Sequence, residues 1–599
     1  MMIPHNASSK GRDRIAAGAI AAMTLLAYLP AMRAGFVFDD FAYLHDNPTL
    51  TGLGGLRAIW FDLRALSQYY PMVFTTFWIE HQLWGLNPAG YHAVNILLHA
   101  ANAILVWLVL RRLAVPGAWL AAAIFAVHPV HVESVAWVAE RKNVLSTLFY
   151  LLAALAYLRF ATIRGPVDES KVAESPWGWY GAAVLLFAAA LLSKTITCTF
   201  PAAILLVLWW KRGRLGWRDV APLLPLFAMA IAAGLITTWA EKHMSGARGE
   251  LYAFTLPERC LIAGRALWFY LYKLVWPTHL SFIYPRWNVD VHSWSQYLFP
   301  LAAILVPLVL LAARRVIGRG PAAACLFFWG TMLPVLGFVN IAFMRLSFVA
   351  DHFVYLADIG IIALFAAGLT RILNRTTPPD GPPSGTSTGR PARSTRAVTV
   401  AILGVLTVLT WRQATYYMTA ESLWRHTLAA NPDSPEVCSN LSESCVDLGH
   451  ADEAVLYAER ALRLRPDYPE AWINLGNGLH LQGRADEAVA AFRKAIEIDP
   501  RGAMAYNNLG NVLIDLGRAD EAVTPLLKAI ELSPNLAIAY NNLGRAQVAR
   551  GHLDEAIAAF RKAIECSPGL SQAQRNLALA MKQKMEREGG SRPSPSDLP

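Results

Sequence analysis

Pro432, Pro466, Pro500, Pro534 and Pro568 stand 34 residues apart, and so do Gly449, Gly483, Gly517 and Gly551. Asp-Glu-Ala recurs on the same period, at 452–454, 486–488, 520–522 and 554–556. A single globular core has no reason to repeat itself this way. A fixed period of about 20–50 residues means one supersecondary unit per period, each unable to bury its apolar face alone, so that neighbours must stack. Leu-Gly falls early in the units (475–476, 509–510, 543–544), Gly near the middle and Pro at the end. That order predicts a helix, a tight turn, a second helix and a stop.

This signature is that of the tetratricopeptide repeat. It predicts five repeats over 433–590, the last shortened, and a polar, disordered tail at 591–599. Stacked helix pairs form a superhelix with a concave face. A second ladder runs inside the first: Asn440, Asn474, Asn508, Asn542 and Asn576, each followed by Leu, with Asn477 and Asn511 three residues on. Residues three apart share a helix face, and an amide both donates and accepts. Such a column suits an extended peptide backbone, or packing between repeats. The column resembles the asparagine-lined repeat superhelix of the nucleocytoplasmic O-GlcNAc transferases.

Residues 1–432 read differently. The chain is 55% hydrophobic and 16% charged, against roughly 25% charged in soluble proteins, and in this half apolar runs reach the ~20 residues that cross a bilayer. Charge divides along the same line: 433–590 carries 17 Lys/Arg against 22 Asp/Glu, and 1–432 carries 35 against 20. A basic excess confined to the apolar half fits cytoplasmic loops and calls for no nucleic acid. The six cysteines are scattered and read as small buried hydrophobes. The predicted fold is all-α: a polytopic membrane bundle over 1–432 followed by an α-solenoid.

Lys10, Arg12 and Arg14 precede the first apolar run, 15–32, and Arg33 stands at its exit. A retained span leaving the cytoplasm is predicted. Further spans are predicted at about 91–110, 117–131, 144–160, 177–192, 196–210, 219–239, 297–313, 321–341, 353–371 and 397–411, eleven in all. The stretch 259–276 is apolar but holds Arg259, Arg265 and Lys273; an interfacial or re-entrant helix there keeps Arg314, Arg315 and Arg319 inside. Residues 372–396, rich in Pro, Gly, Ser and Arg, read as a flexible cytoplasmic loop. This parity puts the repeats on the outer side. The Ala/Arg/Leu-rich usage points to a bacterial inner membrane and a periplasmic outer face.

Asp39 and Asp40 emerge just after the first span, where ionisable groups cost free energy and are therefore functional candidates. The outer rim also collects His128, His131, Glu133, Glu140, Arg141, Lys142, Lys194, Arg345, Asp351 and His352. Acid beside base suits sugar transfer from a lipid phosphate. A carboxylate can deprotonate an acceptor hydroxyl or bind a divalent metal. Arg141, Lys142, Lys194, Arg345 and His352 can hold the phosphate and its growing charge. His128, His131 and Glu133 have the residue types of a metal site, but Pro129 works against the helix that would align them; a metal requirement stays open. His92, Asn95 and His99 share a helix face, for inter-helix hydrogen bonds or for function.

On Gly35-Phe36-Val37-Phe38-Asp39-Asp40, on 91–99, on 128–136, on the Lys194 segment, on 351–356 and on the repeats, the chain resembles the transmembrane and tetratricopeptide-repeat O-mannosyltransferases of the GT-C superfamily, over nearly its whole length. The resemblance implies a polyprenyl-phosphate donor of mannose or another hexose, a Ser or Thr hydroxyl of a protein acceptor, and inverting transfer on the outer face. It implies Asp40, with Asp39, as general base and Glu133 as a second acid. The acceptor would be held through Asn440, Asn474, Asn477, Asn508, Asn511, Asn542 and Asn576. A transferase acting on glycan or lipid, or a non-enzymatic membrane-anchored scaffold for protein assembly, would use the same parts.

Overall fold

The computed structural model describes residues 6–45, 47–66, 68–163, 176–244, 247, 249–375 and 393–588. Most of 372–396 and all of 591–599 lie outside them, and so do the loop and tail expectations for those stretches. Among the described residues all regular elements are helical. The chain forms two compact units, Met1–His426 and Thr427–Pro599.

In the first unit a helix stands at each predicted span, but fewer than eleven are long and apolar enough to cross a membrane. Among the described residues five are: Pro88–Arg112, Val138–Phe160, Trp217–His243, Trp294–Ala312 and Arg396–Thr415. A bent pair, Ala118–Ala126 with Pro129–Ala136, makes a sixth if counted as one span. For Pro176–Leu191, Gly320–Val335 and Ile359–Leu373 the shortfall is one of length, whereas Asn6–Ala27 has 22 residues but carries Lys10, Arg12, Asp13 and Arg14. The 16 residues of Pro176–Leu191 rise only about 24 Å at 1.5 Å each, against a hydrocarbon core of ~30 Å.

The bend of 50° has a local cause. Pro129 has no N–H to donate, and His128 caps the new start by accepting from the Val130 N–H at 3.3 Å. Leu256–Val275, expected as interfacial or re-entrant, is one continuous helix of 20 residues. Its charges are satisfied in place: Arg259 donates to Asn340 Oδ1 at 2.8 Å, Lys273 donates to the Thr278 and His279 carbonyls at 2.8 and 2.9 Å, and Arg265 lies over the Trp287 ring. Ala266, Leu267 and Tyr270 of this helix pack with Phe328, Met332, Val349 and Phe353 in the core behind the site.

The second unit has four helix pairs, from Pro435–Asp447 with Ala451–Leu464 to Ala537–Arg550 with Leu553–Cys566, then the single helix Ser571–Arg587. The fifth repeat is thus one helix. The four periodic turn glycines have φ between +73° and +81°, a region costly for other residues. The glycine of each Leu-Gly pair serves packing: a Cβ at Gly476, Gly510 or Gly544 would stand 2.6, 2.5 or 2.5 Å from Phe492, Leu526 or Phe560 of the partner helix.

Candidate active site

Two cavities meet in the first unit. The inner one, about 480 Å³, is lined by Asp39, Glu140, Lys142, Lys194, Glu241, Arg345 and His352, with apolar walls from Ile231, Leu235, Val335 and Val339. The outer one, about 870 Å³, is lined by Tyr43, Arg64, Trp239 and His243. Asp39, Gln68, Ala342 and Arg345 line both.

The acidic pair is split between two tasks. Phe38 sits at φ 50°, an uncommon conformation for a bulky residue, held by ring contacts with Trp137, Phe282 and Trp424. The turn sends Asp40 inward, fully buried. Its two oxygens accept from the Val37 N–H at 3.0 Å and the Ala139 N–H at 2.6 Å. Burial pushes the Asp40 carboxyl up to about 8, against the pull of those N–H groups. Asp39 instead faces the junction of the cavities and makes no side-chain hydrogen bond among the described residues. Burial and the nearby Glu140 raise its carboxyl, while Lys142 and Arg345 draw it back. The expectation that Asp40 leads is therefore corrected: Asp40 anchors the loop, and Asp39 meets the cavity.

The segment 133–143 supplies the inner floor. Glu140 accepts from Lys142 at 2.9 Å and from Lys194 at 3.1 Å, and Asn143 bridges them, donating to Glu140 at 2.7 Å and accepting from Lys194 at 2.7 Å. Burial and the neighbouring Lys142 bring Lys194 down to about 8, with Glu140 opposing. Arg141, expected at the donor phosphate, points the other way. It is fully buried and pairs with Glu80 at 2.5 Å while donating to the Tyr91 carbonyl at 3.0 Å and to Asn95. Consecutive helical residues lie about 100° apart, so Arg141 and Lys142 cannot share a face.

Glu133, expected as a catalytic acid, accepts from the His352 N–H at 3.0 Å, and its other oxygen shares a hydrogen bond with His352 Nδ1 at 2.8 Å. Nε2 of the same ring lies 3.9 Å from Glu140. Burial holds the imidazole down to about 3. An uncharged ring offers phosphate no positive charge, so the expectation of His352 at the donor phosphate is corrected, and Glu133 is bonded to His352 rather than free in the cavity. Arg345 is exposed at the shared rim and has no ion pair among the described residues.

The helix face of His92, Asn95 and His99 holds the surrounding turns. His92 contacts the Gly35 carbonyl at 3.3 Å. Asn95 donates to the Val135 and Trp137 carbonyls, both at 3.3 Å, and His99 meets the Tyr355 hydroxyl at 2.7 Å. The histidine–carboxylate run separates: His128 faces the Leu274 carbonyl and His131 pairs with Asp358 at 2.5 Å. Among the described residues no group of three or more His, Cys, Asp or Glu side chains could hold a metal ion. Asp351 accepts from the Tyr284 hydroxyl at 2.9 Å, away from the cavity.

Sequence reasoning missed Glu241, at the end of an apolar helix. It is buried in the inner cavity wall and accepts from the Ala342 N–H at 2.9 Å, fixing the turn Ala342–Arg345 that carries Arg345. Its only sequence signal is an acid directly before Lys242 and His243 at a span's end.

In the second unit the asparagine ladder joins repeats. Asn474 donates to the Ser439 carbonyl and hydroxyl at 2.9 and 3.0 Å. Asn508 donates to Asn477, Asn542 to Asn507 and Asn576 to Asn541, at 3.1, 3.0 and 2.9 Å. Donors that a bound peptide would need are already engaged there. Among the described residues the amide nitrogens of Asn477 and Asn511 are not, although their oxygens take Asn508 and Arg545. Asn440, half-buried, begins the ladder without such a bond among the described residues.

Comparison with known proteins covers both units. Tetratricopeptide repeat family models match residues 440–503 and 503–569. Protein O-mannosyl-transferase Tmtc1 of Drosophila melanogaster is 32% identical over 205 residues, 32% of this chain and 23% of its own. The mouse (Mus musculus) relative TMTC2 is 34% identical over 170 residues, 26% of this chain and 20% of its own. Human (Homo sapiens) TMTC1 is 24% identical over 500 residues, 75% of this chain and 55% of its own. The chain thus matches about a fifth to just over half of these relatives' length. Among solved structures, a thermophilic tetratricopeptide repeat protein of Thermus thermophilus aligns with TM-score 0.26 and 24% identity, over 29% of this chain and 95% of its own. The repeat protein YrrB aligns with TM-score 0.24 and 25% identity, over 28% and 87%. With the motifs, the membrane-length helices and the repeats in one chain, this chain is similar to the proteins named protein O-mannosyl-transferases and carries tetratricopeptide repeats.

Proposed function

We propose that the protein is a membrane-spanning glycosyltransferase that moves a hexose, mannose by kinship, from a polyprenyl phosphate to a Ser or Thr hydroxyl of a protein. The observation that carries this is Asp39 at the junction of two cavities, one with paired lysines and apolar walls, the other open and polar. The donor phosphate lies at Lys142 and Lys194, the isoprenoid along Ile231, Leu235 and Val339, and the sugar hydroxyls meet His352 Nε2. The acceptor hydroxyl enters from the outer cavity.

Asp39 takes the hydroxyl proton as the oxygen attacks the anomeric carbon. The bond from that carbon to the phosphate oxygen breaks on the opposite side, its electron pair leaving with the polyprenyl phosphate. Lys194 and Lys142 stabilise the charge that gathers there, and attack opposite the leaving group inverts the anomeric centre. The site faces the non-cytoplasmic side, a bacterial periplasm by composition, and the repeats present the acceptor protein through the amide nitrogens of Asn477 and Asn511. The test is intact-protein mass spectrometry of outer-side proteins from cells carrying wild type or Asp39→Asn at matched expression. Hexose-sized masses lost in the variant support the reading; identical spectra overturn it.

A further inference from the structure

We infer that the outer cavity is an acceptor subsite that selects peptides with acidic residues flanking the accepting Ser or Thr. This rests on the transferase reading above and adds the substrate's chemistry to it. The charged or titratable side chains lining this cavity include Asp39, Arg64, His243 and Arg345. Asp39 is the proton acceptor, so the groups left to meet neighbouring peptide side chains are cationic or neutral. Arg64 is exposed; its backbone N–H donates to Asp62 at 2.9 Å, but its guanidinium has no ion pair or hydrogen bond among the described residues. Arg345 on the shared rim is likewise unpaired among them. The two guanidiniums come from separate segments, 62–66 and Ala342–Arg345.

The rest of the lining fits an extended chain. Ala42, Ala65 and Ala342 are small and leave room for a peptide backbone. Trp239 stacks on His243 with ring centres 5.0 Å apart and planes 19° apart, giving a flat wall. A peptide advancing about 3.3 Å per residue keeps its nearest two positions on either side within roughly 8 Å of the hydroxyl, the screening length of physiological salt. Carboxylates there face the two guanidiniums; lysines there face like charge.

The test uses the full-length protein in membranes, polyprenyl-phosphate mannose as donor, and three peptides identical except that Asp, Ala or Lys flanks one Thr on both sides. Transfer efficiency, kcat/KM, is expected to fall in the order Asp, Ala, Lys, by about twofold to fivefold per charge, with the gap narrowing as salt rises. Arg64→Glu should bring the three peptides level, because the new carboxylate offsets Arg345. Arg64→Gln should keep the order but narrow the gap by the one charge removed, and it gives the answer by itself if the charge reversal does not fold. Equal transfer to all three peptides by wild type, or an unchanged gap in a folded variant, overturns the inference and leaves the transferase reading standing. Transfer to glycan or lipid but to none of the peptides overturns both.

Discussion

Asp39→Ala and Asp40→Ala should fail for different reasons. The Asp40 carboxylate is the acceptor for two buried backbone N–H groups, Val37 at 3.0 Å and Ala139 at 2.6 Å. Alanine removes both acceptors whatever the ionisation of Asp40. Each orphaned N–H costs about 1–3 kcal/mol, so a loss of about 2–6 kcal/mol is expected from the loop and the turn it ties down. Asp39, half-buried, makes no such bond among the described residues, so its removal orphans no buried donor and should not lower stability. As the proposed general base, however, it would be worth about 10²–10⁴ in rate. The assay pairs thermal unfolding of purified protein in detergent with mannose transfer in membranes. Asp39→Ala should unfold with wild type and not transfer; Asp40→Ala should unfold several degrees earlier. Near-wild-type transfer by Asp39→Ala, or a wild-type unfolding temperature for Asp40→Ala, would refute the division of labour.

Arg141→Ala should leave Glu80 buried and unpaired at a cost of about 3–5 kcal/mol, so that size-exclusion chromatography shows lost or aggregated protein; a well-folded variant with only weaker donor binding would return Arg141 to the phosphate. Lys194, brought down to about 8, must be protonated to hold phosphate, so the rate at saturating donor should fall as pH rises through about 8. Its contribution to stability has the opposite sign: with the folded value below the unfolded ~10.4, the unfolded chain binds more protons between the two, and stability from this group rises there. Lys194→Arg should move the alkaline limb of the pH–rate profile upward, and an unmoved limb assigns it elsewhere. Asn474→Ala should speed amide exchange in the first two repeats by the loss of about 1–3 kcal/mol, whereas Asn477→Asp, which keeps the oxygen that accepts from Asn508 and removes only the amide nitrogen, should leave exchange unchanged and weaken binding of the acceptor protein; the reverse pattern would restore the ladder as the peptide contact.

The repeats were legible because their physics is local and periodic: a turn that needs positive φ at Gly449, Gly483, Gly517 and Gly551, and a close approach at Gly476, Gly510 and Gly544, recur wherever the unit recurs. The ladder's role was less so, since a column of amides reads the same whether its donors face a ligand or the preceding repeat; only the partners, Ser439, Asn477, Asn507 and Asn541, decide it. The span count drifted because hydropathy marks apolar helices without measuring whether packing has bent or shortened them, as Pro129 and Pro176–Leu191 show. Glu241 and Asp358 carry no signal in the sequence beyond an acid at the edge of an apolar run; their partners, Ala342 and His131, lie 101 and 227 residues away.

Three adjacent pairs share one logic. In Asp39-Asp40, Arg141-Lys142 and Asp351-His352, one member is turned into the protein and the other lines the cavity. Asp40 ties down backbone, Arg141 closes on Glu80 and Asp351 accepts from Tyr284. The reason is geometric. Successive side chains diverge on a helix or tight turn, so two neighbouring charges cannot both reach a narrow cavity. A site set among apolar helices must also fix its loops without water to satisfy them, and the inward charge does so next to the residue it positions. Sequence marks both members as important and cannot rank them. Loss of transfer alone would not rank them either, because a misplaced Asp39 and a missing Asp39 are equally inactive. Only a stability measurement beside the rate separates the charge that holds the loop from the charge that meets the substrate.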